Sequence, residues 1–121
     1  MFIDFKKYNL PIEEVDDEDA EYLRFKTSSY TYQFRAIGEC CSNSIFQTYK
    51  DIPFSFVIGK IIKNVKEIDE ENDFNVENEL DVEKTHLYQM TFKNSDETFK
   101  FLLVNYSNGY YDGWISSSVV L

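Results

Sequence analysis

The order of residues predicts a mainly antiparallel β domain of the α+β class, a curled sheet or open barrel carrying one short helix at about residues 43–50. Three observations lead there. Residues 21–27 (EYLRFKT) and 30–37 (YTYQFRAI) alternate between apolar and polar on either side of Ser28-Ser29, which is the pattern of a hairpin with one buried face. Residues 98–106 (TFKFLLVNY) are apolar enough for a strand covered on both faces. Asn108-Gly109, with Asp112-Gly113 four residues on, is a strong hairpin signal, because a type I′ turn needs positive φ at both central residues.

The elements follow in order. Residues 1–10 supply a first strand or an arm, and Pro11 separates them from an acidic segment at 13–21. In the first hairpin Leu23 and Phe25 oppose Tyr22, Arg24 and Lys26, while Tyr30, Tyr32, Phe34 and Ala36 share a face. Gly38-Glu39-Cys40-Cys41 ends it. Ser42-Asn43-Ser44 offers N-cap residues for the helix, Ile45, Phe46 and Tyr49 its buried side, and Pro53 a stop. Residues 56–68 (FVIGKIIKNVKEI) carry both helical spacing and β-branched content; the latter, with Gly59, favours a bulged strand. Residues 67–83 form a long acidic loop, of the kind that tends to be functional. Residues 85–93 place His86, Tyr88, Met90 and Phe92 on one face, 94–97 turn, and Trp114 to Leu121 make the last strand. The count is six or seven strands within a single domain spanning 1–121, with the acidic segments 13–21 and 67–83 as loops.

Composition narrows the function classes. The chain has 121 residues and a formal charge of −10. Segment 13–21 holds seven acids and segment 67–83 nine, neither with a base; the rest of the chain has six acids against twelve bases. The body is therefore mildly basic behind two acidic segments. These read either as solvated loops or as a charged docking surface. No stretch is apolar for the roughly 18 residues of a membrane span. Met1-Phe2-Ile3-Asp4-Phe5-Lys6-Lys7 places charges where a signal peptide needs an apolar run. The expected setting is cytoplasmic, with no membrane association. Adjacent cysteines have Cα atoms only about 3.8 Å apart, too close for an unstrained disulfide.

Few residues point to chemistry. If a helix starts at Ser42, its N-terminus would lower the pKa of Cys40 or Cys41 and make a reactive thiolate; plain core cysteine is the competing reading. A catalytic set would be Cys40, Cys41 and His86, the only histidine, and requires the imidazole within hydrogen-bond reach of a thiol. No metal site is expected, since there is no CxxC and no second histidine. No cofactor is expected, since the four glycines form no phosphate-binding loop. Direct nucleic-acid binding is disfavoured by the net charge, although Lys60, Lys63 and Lys66 are basic. The binding candidates are Tyr106, Asn108, Tyr110, Tyr111 and Trp114 around the turn, where such aromatics are typical contact residues, and Asp69, Glu70, Glu71 and Asp73 in the second acidic segment.

Gly38-Glu39-Cys40-Cys41-Ser42-Asn43-Ser44 and Ser107-Asn108-Gly109-Tyr110-Tyr111-Asp112-Gly113 resemble paired segments of a small uncharacterised domain family of bacteriophages and other viruses. Gly59-Lys60-Ile61-Ile62-Lys63-Asn64-Val65 matches a stretch between them, and the resemblance spans about residues 34–116. It departs at Ile45, where the family often has tryptophan. The resemblance implies a viral accessory protein and brings no activity or catalytic residues. The expectation is a non-enzymatic acidic protein that docks on another protein, host or viral, and inhibits a nucleic-acid-handling or defence enzyme. The alternatives are a thiol-dependent enzyme and a virion-associated self-assembly module.

Overall fold

Among the described residues, the computed structural model has eight strands: β1 (Glu14–Asp16), β2 (Tyr22–Lys26), β3 (Thr31–Gly38), β4 (Asn43–Thr48), β5 (Ile62–Ile68), β6 (Val82–Phe92), β7 (Thr98–Ser107) and β8 (Gly113–Val120). The structure describes residues 3–39, 42–68, 82–107 and 112–121. Two short 3₁₀ turns, Phe5–Lys7 and Phe54–Val57, complete the described elements. The strands form two antiparallel sheets, ordered β1-β2-β3-β8 and β4-β7-β6-β5, rather than one curled sheet or barrel.

One apolar cluster lies between the sheets. Leu23, Phe25, Tyr32, Phe34 and Ile115 come from the first sheet; Phe46, Met90, Phe92, Phe101 and Leu103 come from the second. These are the inward positions of alternating strands, as the period-2 pattern requires. Burying this much aromatic and aliphatic surface is the main force joining the sheets. Phe25 meets Phe34 edge-on at 5.6 Å, and Tyr88 stacks on Phe101 at 5.6 Å. A second cluster, Tyr49, Leu87, Leu102 and Val104, sits on the other face of the second sheet. Strand β7, between β4 and β6, is thus apolar on both faces, as its composition suggested.

Four expectations need correction. The helix at about 43–50 is strand β4, whose six residues pair with β7 from Asn43↔Tyr106 to Thr48↔Phe101. An isolated helix of that length has little stability, whereas the strand gains a full ladder and buries Phe46. The serines read as caps have another use: Asn105 Nδ2 donates to Ser42 Oγ at 3.0 Å and to Ser44 Oγ at 2.8 Å. The chain then turns at Lys50 and Asp51, both with positive φ. Secondly, the first acidic segment is not all loop: Glu14–Asp16 is an edge strand whose Asp16 approaches Arg24 at 3.7 Å. Thirdly, β7 and β8 do not form a hairpin. They belong to different sheets, and β8 pairs with β3 instead. The bulge in β5 falls between Ile62 and Asn64 rather than at Gly59, which has φ +89° in the preceding turn.

That third correction exposes the main feature of the topology. The β3–β8 and β4–β7 pairs are two arms of one bent antiparallel ribbon. Gly38 faces Gly113 on one side of the bend, and Asn43 faces Tyr106 on the other. The Glu39 N–H donates to the Asp112 carbonyl at 2.9 Å, extending the ladder into the bend. Glycine is required where the strands approach. A Cβ on Gly113 would lie 2.1 Å from Ser44 Oγ and 2.7 Å from the Ile37 carbonyl oxygen.

Replacing Gly113 with Ala is therefore expected to destabilise the fold by roughly 1–3 kcal/mol, the range for overpacking a tight site. Urea unfolding of G113A and of the double variant G113A/S44G measures this. Ser44→Gly also removes a hydrogen-bond partner of Asn105, so the double variant is compared with S44G alone; the cost of G113A should be smaller in that background, since the hydroxyl contact is gone and the carbonyl contact remains. An unchanged midpoint for G113A would mean that the ribbon does not need this close approach.

Candidate functional site

The bend lies at the end of the sandwich where most chain crossings meet. Strand β5 finishes there at Ile68, paired with Leu87; β6 starts there, with Val82 opposite Ser107; β3 leaves it at Gly38, and β8 enters it at Gly113. Among side chains at this end, β6 contributes His86, β5 contributes Glu67 and the start of β8 contributes Asp112. The imidazole Nε2 is 2.8 Å from Asp112 Oδ1, and Nδ1 is 3.4 Å from Glu67 Oε2. Asp112 Oδ1 also accepts the Gly113 N–H at 2.7 Å. His86 thereby links the two sheets through their charged groups.

The titration of this group follows from its surroundings. Burial alone would lower the pKa of His86. The Asp112 hydrogen bond and charge, and then Glu67, outweigh it and hold the imidazole above its ordinary 6.5. Asp112 is shifted the opposite way. Burial would raise its carboxyl, but the His86 hydrogen bond and the Gly113 N–H bring it below 3.8. Burial and then the Glu67 charge push the Tyr88 hydroxyl well above the usual tyrosine range. The arrangement favours a doubly protonated imidazole that donates to a carboxylate from each nitrogen.

This bears on the thiol chemistry expected of His86. A general base for a cysteine needs a free ring nitrogen aimed at the sulfur. Both nitrogens of His86 are engaged by carboxylates instead. Cys40 and Cys41 themselves lie outside the described residues, as do Asp69, Glu70, Glu71, Asp73, Asn108, Tyr110 and Tyr111. Among the described residues no group of three or more His, Cys, Asp or Glu is arranged to hold a metal ion, and no helix is long and apolar enough to cross a membrane.

Two aromatic candidates can be placed, and they do not stand together. Tyr106 packs against the second cluster on the outer face of its sheet, where its hydroxyl accepts a hydrogen bond from Gln47 Nε2 at 3.1 Å. Trp114 belongs to the other sheet, opposite Ile37, and is 49% exposed. The first acidic segment is partly neutralised from within: besides Arg24–Asp16, Lys26 lies 4.0 Å from Glu14.

Sequence reasoning missed the partners of His86. Asp112 was read as a turn residue and Glu67 as a loop carboxylate; they are 26 and 19 residues from the histidine, and no local periodicity links them. It also missed Asn105, fully buried on β7, whose amide group ties the bend to Ser42 and Ser44. A polar residue inside the apolar run 98–106 was the available signal.

The chain is similar to "Uncharacterized protein L278" of Acanthamoeba polyphaga mimivirus, at 34% identity over 97 residues that cover 80% of this chain and 75% of that protein. No family model matches the chain, and no solved structure matches it.

The histidine clasp sets a pH dependence. The raised pKa of His86 contributes stability that is complete below 6.5 and lost as pH rises through its folded-state value. The lowered pKa of Asp112 contributes above 3.8 and is lost as pH falls through its folded-state value. Both act together between these limits. His86→Gln should therefore cost most at about pH 5 and least at about pH 9, where the imidazole is neutral. With Asp112 41% exposed, screening limits the maximum to about 1 kcal/mol. Thermal unfolding of both proteins across that range is the measurement. A constant difference in melting temperature would rule the clasp out.

Proposed function

The chain belongs to the family of the mimivirus protein, and on that premise we propose that it is a viral accessory protein of the non-enzymatic, binding kind. Its task is to dock on another protein through the end of the sandwich that carries the ribbon bend. The partner is a host protein that handles nucleic acid or serves in defence, and docking inhibits it. Carboxylates presented in a row take the place of phosphates in a basic groove of that partner.

One observation carries this reading: the residues flanking the second acidic segment and the aromatic turn stand at the same end. Ile68 and Val82 flank 69–81; Ser107 and Asp112 flank 108–111; Glu39 and Ser42 flank the cysteines. Residues 69–81 hold seven acids and no base. The described residues from which the acidic and tyrosine-bearing stretches depart therefore lie toward one end of the sandwich, which supports a surface that uses both. The first acidic segment supports the reading less, because Glu14 and Asp16 already have basic neighbours in the same molecule. The engaged nitrogens of His86 favour binding over thiol catalysis.

The test is charge reversal. A variant with Asp69, Glu70, Glu71 and Asp73 changed to Lys is compared with the native chain in capture of partners from host-cell lysate at low and high salt. The native chain should retain a nucleic-acid-handling protein in a salt-sensitive manner, and the variant should lose at least about tenfold of it, the scale of several charge pairs. Equal capture by both would overturn the reading.

A further inference from the structure

A second charged feature lies at the opposite end of β5. A groove of about 730 Å³ runs between the N-terminal 3₁₀ turn and the start of β5, with Ile3 and Phe5 on one wall and Lys6, Lys63, Asn64 and Lys93 around it. That volume is within the range of protein binding clefts. Its construction is specific. Lys93 spends its ammonium on the backbone, donating to the carbonyls of Phe5 at 3.1 Å and Tyr8 at 3.0 Å, and to Asn9 Oδ1. It thereby clamps the 3₁₀ turn against the end of β6. Asn94 beside it holds a left-handed backbone, φ 58°. Lys6 and Lys63 are exposed and have no carboxylate within ion-pair distance among the described residues. Asp4, the one acid on the groove, turns an oxygen back to accept the Lys6 N–H at 3.2 Å.

The groove opens onto an edge. Strand β5 is outermost in its sheet, with β6 on one side. Beyond the β5–β6 ladder, the backbone groups of residues 62–68 have no backbone partner among the described residues. Exposed Lys63 and Lys66 and the bulge at Ile62/Asn64 mark this edge. Lysines and bulges discourage a like copy from pairing at an edge, but the same lysines attract an acidic strand. Peptide groups and ammonium groups without partners among the described residues, beside an apolar wall, are the elements of strand addition, in which backbone bonds give affinity and side-chain pockets give selectivity.

We propose that the β5 edge and its basic groove bind an extended acidic peptide segment of a partner protein, which adds as a further strand beside β5. Alternate carboxylates of the peptide meet Lys63, Lys66 and Lys6, and an apolar side chain enters beside Ile3 and Phe5. The net charge of −10 does not forbid this. Lys63 and Ile68 are about 17 Å apart along the strand, about two screening lengths at physiological salt.

The test uses the full chain and a fluorescein-labelled octapeptide of alternating Glu and Val, read by anisotropy. The expected results are saturable binding that weakens with salt, a loss of at least tenfold in K63E/K66E, and a similar loss for a peptide N-methylated at alternate amides, which keeps the charge but cannot pair. Both lysines are exposed, so the variant should unfold at the native temperature, and a second variant, Lys6→Glu, reports on the groove alone. No binding, or equal binding of the N-methylated peptide, would overturn the proposal. So would displacement of the peptide by inorganic phosphate or ATP at matched ionic strength, which would assign the groove to small anions. The Asp69-to-Asp73 charge reversal should not weaken peptide binding, so that this surface and the acidic end fail independently.

Discussion

The architecture depends on the close approach of two strands where the ribbon bends from one sheet into the other. Two arms of a single ladder, β3 with β8 and β4 with β7, cannot change sheets together unless the backbones nearly touch at the corner. Gly38 and Gly113 face each other there because neither has room for a side chain: a Cβ on Gly38 would stand 2.7 Å from the Ser42 carbonyl oxygen. Asn105 holds the inner side of the corner with two hydrogen bonds to serines that flank it. Its Nδ2 is paired in this way, whereas its buried Oδ1 has no hydrogen-bond partner among the described residues, so the serines offset only part of the cost of burying the amide.

This constraint determines what can reach what. With the ribbon bent, four strand ends meet at one end of the sandwich, and the histidine clasp closes over them from β5, β6 and β8. A charged pair between sheets contributes little to stability when water has access. Its larger effect is to fix where β5 ends and β8 begins, and so where the intervening segments must depart. At the other end the sheets are tied differently. Lys93 holds the N-terminal turn by its backbone, and Ile12 bonds Lys60 and Gly59 through its main chain. One end is thus built from strand crossings and ion pairs, the other from a clamped arm.

Where a strand has one buried face, its alternation showed in the sequence: Leu23 and Phe25, Tyr32 and Phe34, Met90 and Phe92 are all inward as read. Strand β7 was recognisable as central because both its faces are apolar. The failures share a cause, which is that local signals were answered by distant partners. Ser42-Asn43-Ser44 has cap chemistry, but Asn105, 61 residues from Ser44, claims the hydroxyls. Asn108-Gly109 has hairpin chemistry, but the strands on either side find better partners in β4 and β3, which are consecutive in the chain. Glu13 to Glu21 looks like a solvated loop because three residues, Glu14–Asp16, are too few to show a period. The His86 group was out of reach for the same reason, since its three members come from three strands.

Strand β5 connects the two charged regions and explains how one small chain can carry both. Its first five residues include Lys63 and Lys66; its last two are Glu67 and Ile68, followed in sequence by the acidic run. Were the opposing charges mixed along the strand, they would neutralise each other at short range and leave no field for a partner. Lys63 lies about a strand's length from the acidic run, where salt screens the opposite sign, while Lys66 stands next to Glu67, whose carboxylate turns to His86 instead. Glu67 marks the boundary. It is the first carboxylate after the lysines, and it turns toward His86 at 3.4 Å. An internal cation thus engages the acid nearest the lysines, so that the basic edge keeps its charge and the acidic run begins beyond it.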